Sequence, residues 1–287
     1  MIEMQPFLNK LMEETMKLNK MSLIPLVLLA GMLYIGLTPI HAADEFPNRK
    51  KYPSVAPMST QDLYNGYKAG DTVVVDVRSK LEYDVIHING ARHIPLSNKT
   101  FLNQVGDLVS RNAGKKIAFY CNGITCLKSY EAAKRSSKKG FKNCYAYDAG
   151  IPEWAAVYPE NTLLLGKVIV DPDKQLIPKS EFKQKALPFD EFKAEYTADG
   201  GLLIDVRDHI QRSKNLPGLK KARHIPLDRF LPHFVLKKEH QDKNLYIFDQ
   251  VGKQVKWLQY YLKDNGYENY RFLSGGASSV LAKQEYK

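Results

Sequence analysis

The chain has 287 residues, 44% hydrophobic and 25% charged, with three cysteines and a formal net charge of +11. That length suits two domains, each with its own core, and the balance excludes a disordered, collagen-like or multi-spanning membrane protein. Three cysteines exclude a disulfide-stapled miniature fold, while the positive charge admits nucleic acid, a membrane surface or an anionic small molecule without choosing among them.

Met21 to Ile40 is an uncharged apolar run, preceded by Lys17 and Lys20 and followed by His41-Ala42-Ala43. Basic flank, apolar stretch and small-residue exit make residues 1–43 a secretory signal, cleaved after Ala42 or Ala43. The alternative is an uncleaved anchor, since about 20 apolar residues span a bilayer; Pro25, Pro39 and the internal glycines favour the cleaved signal. Residues 1–15 carry Glu3, Glu13 and Glu14, so Met16 is the better start of such a signal. Lys10, Lys17 and Lys20 balance those three glutamates, and the exported, periplasmic protein keeps the whole +11. Export also places its thiols where disulfides form.

Residues 44–58 read as a polar, proline-bearing lead-in. The runs 72–77 and 117–120 are apolar and β-branched or aromatic, as strands buried on both faces are. Residues 129–139 carry helix formers and a basic last turn, stopped by Gly140, and Cys144–Tyr147 reads as a further strand. The pattern then repeats. Val73-Val74-Val75-Asp76-Val77-Arg78 returns as Leu202-Leu203-Ile204-Asp205-Val206-Arg207, and Ala91-Arg92-His93-Ile94-Pro95-Leu96 returns as Ala222-Arg223-His224-Ile225-Pro226-Leu227. Such regular self-similarity marks a tandem duplication. It divides the chain into a domain at 44–164, a linker at 165–186 and a second domain at 187–287. Alternating strands and helices predict an α/β fold with mainly parallel sheets flanked by helices, whose ligands gather beyond the carboxyl ends of the strands.

Cys121 falls at such an end, in the loop Cys121-Asn122-Gly123-Ile124-Thr125-Cys126-Leu127-Lys128. Backbone N–H groups of the turn and the positive end of the following helix favour a thiolate there. The same groups form a cradle for a persulfide or a sulfur oxyanion. Gly123 permits the tight turn and Lys128 adds positive charge. The candidate binding loop is therefore Asn122, Gly123, Ile124, Thr125, Cys126 and Lys128.

In both repeats the order of motifs resembles the rhodanese (thiosulfate sulfurtransferase) superfamily. The resemblance rests on Asp76–Arg78, Glu82-Tyr83, His87-Ile88-Asn89-Gly90-Ala91 with Ile94-Pro95, Tyr120-Cys121, and Ala149-Gly150 with Trp154. It implies two rhodanese-like domains, and a Cys121 that takes sulfane sulfur from a small anionic, thiosulfate-like donor as a covalent persulfide. That sulfur then passes to a thiol or cyanide-like acceptor, with no other cofactor. The loop closes on Cys126-Leu127 rather than on an arginine, which argues against phosphatase or arsenate reductase activity. Asp249 stands in the second repeat where Cys121 stands in the first, so that copy is silent and serves as scaffold or as a surface for a protein partner.

Cys126 admits two readings, a redox partner of Cys121 or a small apolar residue packed under the loop. Cys144 lies in a strand-like run and reads as core. Asp76 and Arg78 read as structural support for the loops, and His87 as a hydrogen-bonded residue rather than a base. No His/Cys cluster has metal-ligand spacing. The lysine pairs are scattered as solvated faces, so no nucleic-acid groove is expected. Two further functions remain open, a thiol redox protein using Cys121 and Cys126 and a non-catalytic rhodanese-like binding module.

Overall fold

The computed structural model describes residues 46–212, 214–219 and 221–282; the expected signal at 1–43 lies outside them. From Asn48 the lead-in forms a short 3-10 turn at Arg49–Lys51 and then buries Val55 and Met58. Helix α1 (Thr60–Ala69) starts on the Ser59 hydroxyl, which accepts from the Asp62 N–H, and ends on Gly70 in the left-handed region, as such caps do. It feeds β1 (Thr72–Asp76), where Val74, Val75 and Asp76 are all buried. Helix α2 (Lys80–Val85) opens with a reciprocal capping box between Ser79 and Glu82, satisfying two otherwise orphaned N–H groups. Two short strands follow, β2 (Ile86–Ile88) and β3 (Arg92–His93), then helix α3 (Phe101–Arg111).

Next come β4 (Lys116–Tyr120), helix α4 (Lys128–Lys138), β5 (Cys144–Tyr147) and helix α5 (Gly150–Val157). The bounds of β4, α4 and β5 fall within one or two residues of those read from apolar runs and from the Gly140 stop. The strands align in parallel in the order β3-β1-β4-β5, and a parallel bridge from Pro57 to Ala146 extends the edge beyond β5. Every residue of β4 after Lys116 is buried, because helices cover both faces of a parallel sheet. Val75, Phe119, Tyr130 and Ala133 belong to one core beneath it, and each large side chain so buried contributes roughly 1.5–3 kcal/mol.

The stretch expected as linker contains secondary structure. After β6 (Thr162–Leu164), strand β7 (Lys167–Val168) completes a small antiparallel sheet, β2-β6-β7. Helices α6 (Pro172–Gln175) and α7 (Lys179–Lys185) then lead to β8 (Ala186–Leu187). Helix α8 (Phe189–Asp199), β9 (Leu202–Asp205), β10 (Arg223–His224), helix α9 (Leu227–Phe230), β11 (Leu245–Phe248), helix α10 (Gln254–Asp264), β12 (Tyr270–Leu273) and helix α11 (Gly276–Leu281) complete the described chain. Here the sheet order is β10-β9-β11-β12-β8. It mirrors the first sheet strand for strand, β8 taking the place of the Pro57 bridge.

From Pro47 onward both sheets belong to one compact unit. Helix α10 packs on α2, and Leu81 of α2 rests against the core of the second sheet. The Ile177 N–H donates to the Tyr260 hydroxyl at 3.1 Å, fastening the connecting segment to α10. Among the described residues no helix is long and apolar enough to cross a membrane.

Candidate active site

The site forms where β1 and β4 end side by side, with Asp76 opposite Tyr120 in register. Cys121 follows directly, 1% exposed, and its Sγ lies 3.9 Å from the Ser129 hydroxyl in the first turn of α4. The loop folds back tightly, the Cys126 N–H donating to the Gly123 carbonyl at 2.9 Å. That turn joins Cys121 and Cys126 in a disulfide with Cα atoms 6.4 Å apart, a normal span for the bond. Gly123 adopts φ 106°, and Gly150 (φ 68°) packs so closely that a Cβ there would meet the Gly123 nitrogen at 2.4 Å. No side chain fits at Gly150 without displacing the loop.

A buried polar chain supports this turn. Arg78 pairs with Asp76 at 2.6 Å, both side chains fully buried. Burial opposes the Arg78 charge, but Asp76 beside it holds the pKa above the ordinary arginine value. The same guanidinium donates to Asn122 Oδ1 at 3.1 Å, and the Asn122 amide donates to the Glu82 carboxylate. Glu82 also accepts from the Ser79 N–H at 2.9 Å and faces Lys128 Nζ at 4.0 Å. Burial alone would raise the Glu82 pKa; the Asn122 and Ser79 hydrogen bonds and the Lys128 charge outweigh it and hold it below the ordinary value. From the lead-in, Asn48 donates to the Ile124 carbonyl at 3.0 Å. Arg49 pairs behind the loop with Asp148 at 2.9 Å.

Above the loop lies a cleft of about 400 Å³, lined from the first half by Ser79, Glu82, Asn122, Thr125, Cys126 and Lys128 and from the second by Lys253, Gln254 and Trp257. Of the two cysteines, Cys126 lines the cleft and Cys121 does not. Gly123 is buried beneath it, and Ile124 is exposed outside its lining. The Arg78 guanidinium stands 5.6 Å from the Trp257 ring centroid, within cation–π range. The sequence pattern pointed to the loop and to the Asp76–Arg78 support. Asn48, Lys253 and Trp257 carried no signal, because what brings them in is the docking of the lead-in and of α10. His87 Nδ1 meets the Tyr83 carbonyl at 2.7 Å and its ring stacks on Tyr83. Burial lowers its pKa. Cys144 sits in the core as a free thiol, pushed up to about 11 by burial. Among the described residues no cluster of three or more His, Cys, Asp or Glu could hold a metal ion.

The second half carries the same frame with different contents. Arg207 and Asp205 repeat the buried pair at 2.8 Å, and Gly276 repeats the close approach, its hypothetical Cβ 2.5 Å from the Val251 nitrogen. In place of Cys121, the buried Asp249 carboxylate accepts N–H bonds from Val251, Gly252, Gln254 and Val255. The converging N–H groups of this loop are thus occupied by the chain's own carboxylate. A smaller cavity lies elsewhere, lined by Glu195, Asp199, Tyr246 and Arg271 among others, but these polar groups pair with one another, Tyr246 with Asp199 and Arg271 with Glu195.

Residues 59–157, the part of the chain that carries Cys121, match the family model of the rhodanese-like domain. The chain is 38% identical over 89 residues to a tRNA uridine(34) hydroxylase of Photorhabdus laumondii, a match covering 30% of this chain and 24% of that protein. It is 31% identical over 114 residues to the probable adenylyltransferase/sulfurtransferase MoeZ of Mycobacterium tuberculosis, covering 39% of this chain and 27% of that one. The chain thus spans about a quarter of the length of these relatives. Among solved structures it is similar to a rhodanese-related protein of Thermoplasma volcanium (26% identity, TM-score 0.30, 36% of this chain and 93% of that one). It is also similar to a thiosulfate sulfurtransferase from Pseudomonas aeruginosa (15% identity, TM-score 0.35, 83% and 46%).

Proposed function

We propose that the protein is an exported sulfurtransferase that carries sulfane sulfur on Cys121. The observation that carries this reading is the position of Cys121, at the carboxyl end of β4 and beside the first turn of α4, inside the segment that matches the rhodanese-like domain. In the reduced protein the Cys121 thiolate attacks the outer sulfur of a thiosulfate-like donor. The donor's S–S bond breaks, sulfite leaves with the electron pair, and Cys121 holds a persulfide. A cyanide or thiol acceptor then attacks the terminal sulfur and the Cys121 thiolate departs. Lys128 and Lys253 at the cleft favour an anionic donor, as does the +11 charge of the chain. The second half, its loop filled by Asp249, is scaffold and a surface for a protein partner.

The test is Cys121→Ser in a thiosulfate–cyanide assay, with the wild type followed by intact mass after thiosulfate. Thiocyanate formation is expected from the wild type and not from the variant, with one added sulfur on the wild-type mass. Wild type that gains no sulfur from any donor would remove the sulfurtransferase reading. A second reading, a thiol redox protein, is favoured by the Cys121–Cys126 disulfide. Thiol trapping across a series of redox buffers checks it, and failure to trap a reversible pair would discard it.

A further inference from the structure

The disulfide and the cleft together bear on what happens to the sulfur after Cys121 has taken it, a question that rests on the persulfide reading. The turn places Cys126 in bonding contact with the inner sulfur of Cys121, the atom to which a carried sulfur would be attached. Asn48 on the Ile124 carbonyl and the Cys126 N–H on the Gly123 carbonyl hold the loop in that fold. An intramolecular thiol so held competes well with any acceptor from solution, because its approach costs little further entropy. The two sulfurs also differ in access, Cys121 being 1% exposed and Cys126 lining the cleft.

We infer that Cys126 is the first acceptor, so that the protein releases the carried sulfur as hydrosulfide and turns over with a dithiol reductant. The Cys126 thiol attacks the inner sulfur of the Cys121 persulfide. A Cys121–Cys126 bond forms, the persulfide S–S bond breaks, and hydrosulfide leaves with the electron pair and the Cys126 proton. The carried sulfur is reduced and the two cysteines are oxidised by the same two electrons. A dithiol then attacks Cys126, the sulfur on the cleft, and expels the Cys121 thiolate towards Ser129 and the start of α4, where negative charge is favoured. The second thiol of the reductant closes on the mixed disulfide and frees Cys126. For each thiosulfate and each dithiol consumed, one sulfite, one hydrosulfide, one proton and one oxidised dithiol result. In this cycle the disulfide is an intermediate of turnover, and sulfur transfer and redox chemistry are consecutive steps at one loop.

The experiment is a single turnover. Full-length protein is reduced, freed of reductant and mixed with one equivalent of thiosulfate; sulfite, sulfide and intact mass are followed. Wild type is expected to release sulfite and sulfide in equal amounts and to lose the mass of two hydrogens. Cys126→Ser, and Cys126→Ala as a second variant, are expected to release sulfite alone, to keep one added sulfur, and to yield sulfide only once dithiothreitol is supplied. A wild type that releases sulfite but keeps a stable persulfide with Cys126 open to alkylation overturns this inference and leaves the sulfurtransferase reading standing. Variants that release sulfide as fast as wild type overturn it equally. Wild type that forms neither sulfite nor persulfide overturns both readings.

Discussion

The Arg78 guanidinium, buried at the end of β1, lies 5.6 Å from the ring centroid of Trp257 on α10. The polar chain that supports the Cys121 loop therefore touches a side chain from the other sheet's half of the molecule. Trp257 closes one wall of the cleft and is itself buried.

Trp257→Ala should accordingly do two things. Truncating a buried tryptophan costs about 3 kcal/mol, read as a lowered midpoint in urea. Loss of that wall should also raise KM for thiosulfate more than it lowers kcat. Trp257→Phe should recover most of both, and steady-state thiosulfate–cyanide kinetics on the pair checks it.

Asp76→Ala leaves the Arg78 charge buried without its partner. Removing one member of a buried ion pair costs on the order of 3–5 kcal/mol. The same change frees the guanidinium that donates to Asn122, so thermal unfolding should drop sharply and activity should fall in the protein that remains folded.

Glu82 gives a pH signature. Its carboxyl is held below its ordinary value in the folded protein, so its contribution to stability is complete above the unfolded-state pKa and is lost as pH falls through the lower, folded one. Melting temperature measured from neutral pH into the acid range should show a component that Glu82→Gln removes, the two proteins converging at the lowest pH. Parallel curves would contradict the assignment.

Asp249→Ala tests the silent loop. Four N–H groups lose their acceptor at a buried position, at a cost of about 3 kcal/mol. Chemical denaturation should show it, while Cys121 in the other half should still take up sulfur by mass.

Cys144→Ser is the control for Cys121→Ser. The Cys144 thiol is pushed up to about 11 by burial among apolar neighbours, and a thiol kept protonated is no nucleophile. Thiocyanate formation should match wild type, with a stability loss of about 1 kcal/mol for burying a hydroxyl there.

What the chain alone revealed follows from local chemistry. Residues 117–120 announce a doubly covered strand because nothing polar interrupts them, and Gly140, at φ 98°, stops the preceding helix as its position suggested. The place of Cys121 between a strand and a helix was legible because the apolar run of β4 ends directly before it. Trp257 looked like any aromatic on an amphipathic helix; only the packing of α10 on α2 gives it a place at the cleft. Residues 165–186 looked like linker because their elements are two to seven residues long, too short for periodicity to register. The antiparallel pairing of β2 with β6 joins segments far apart in sequence, and no local pattern encodes such a partner.

The clasp of Asn48 on the Ile124 carbonyl spans 76 residues. During synthesis Asn48 emerges first and waits for the whole of β1, β4 and the intervening helices before its acceptor exists. The lead-in that carries Asn48 lies along the sheet edge through the bridge of Pro57 to Ala146. The restraint on the Cys121–Cys126 loop is thus non-local, and a nascent or half-unfolded chain carries its thiols without it.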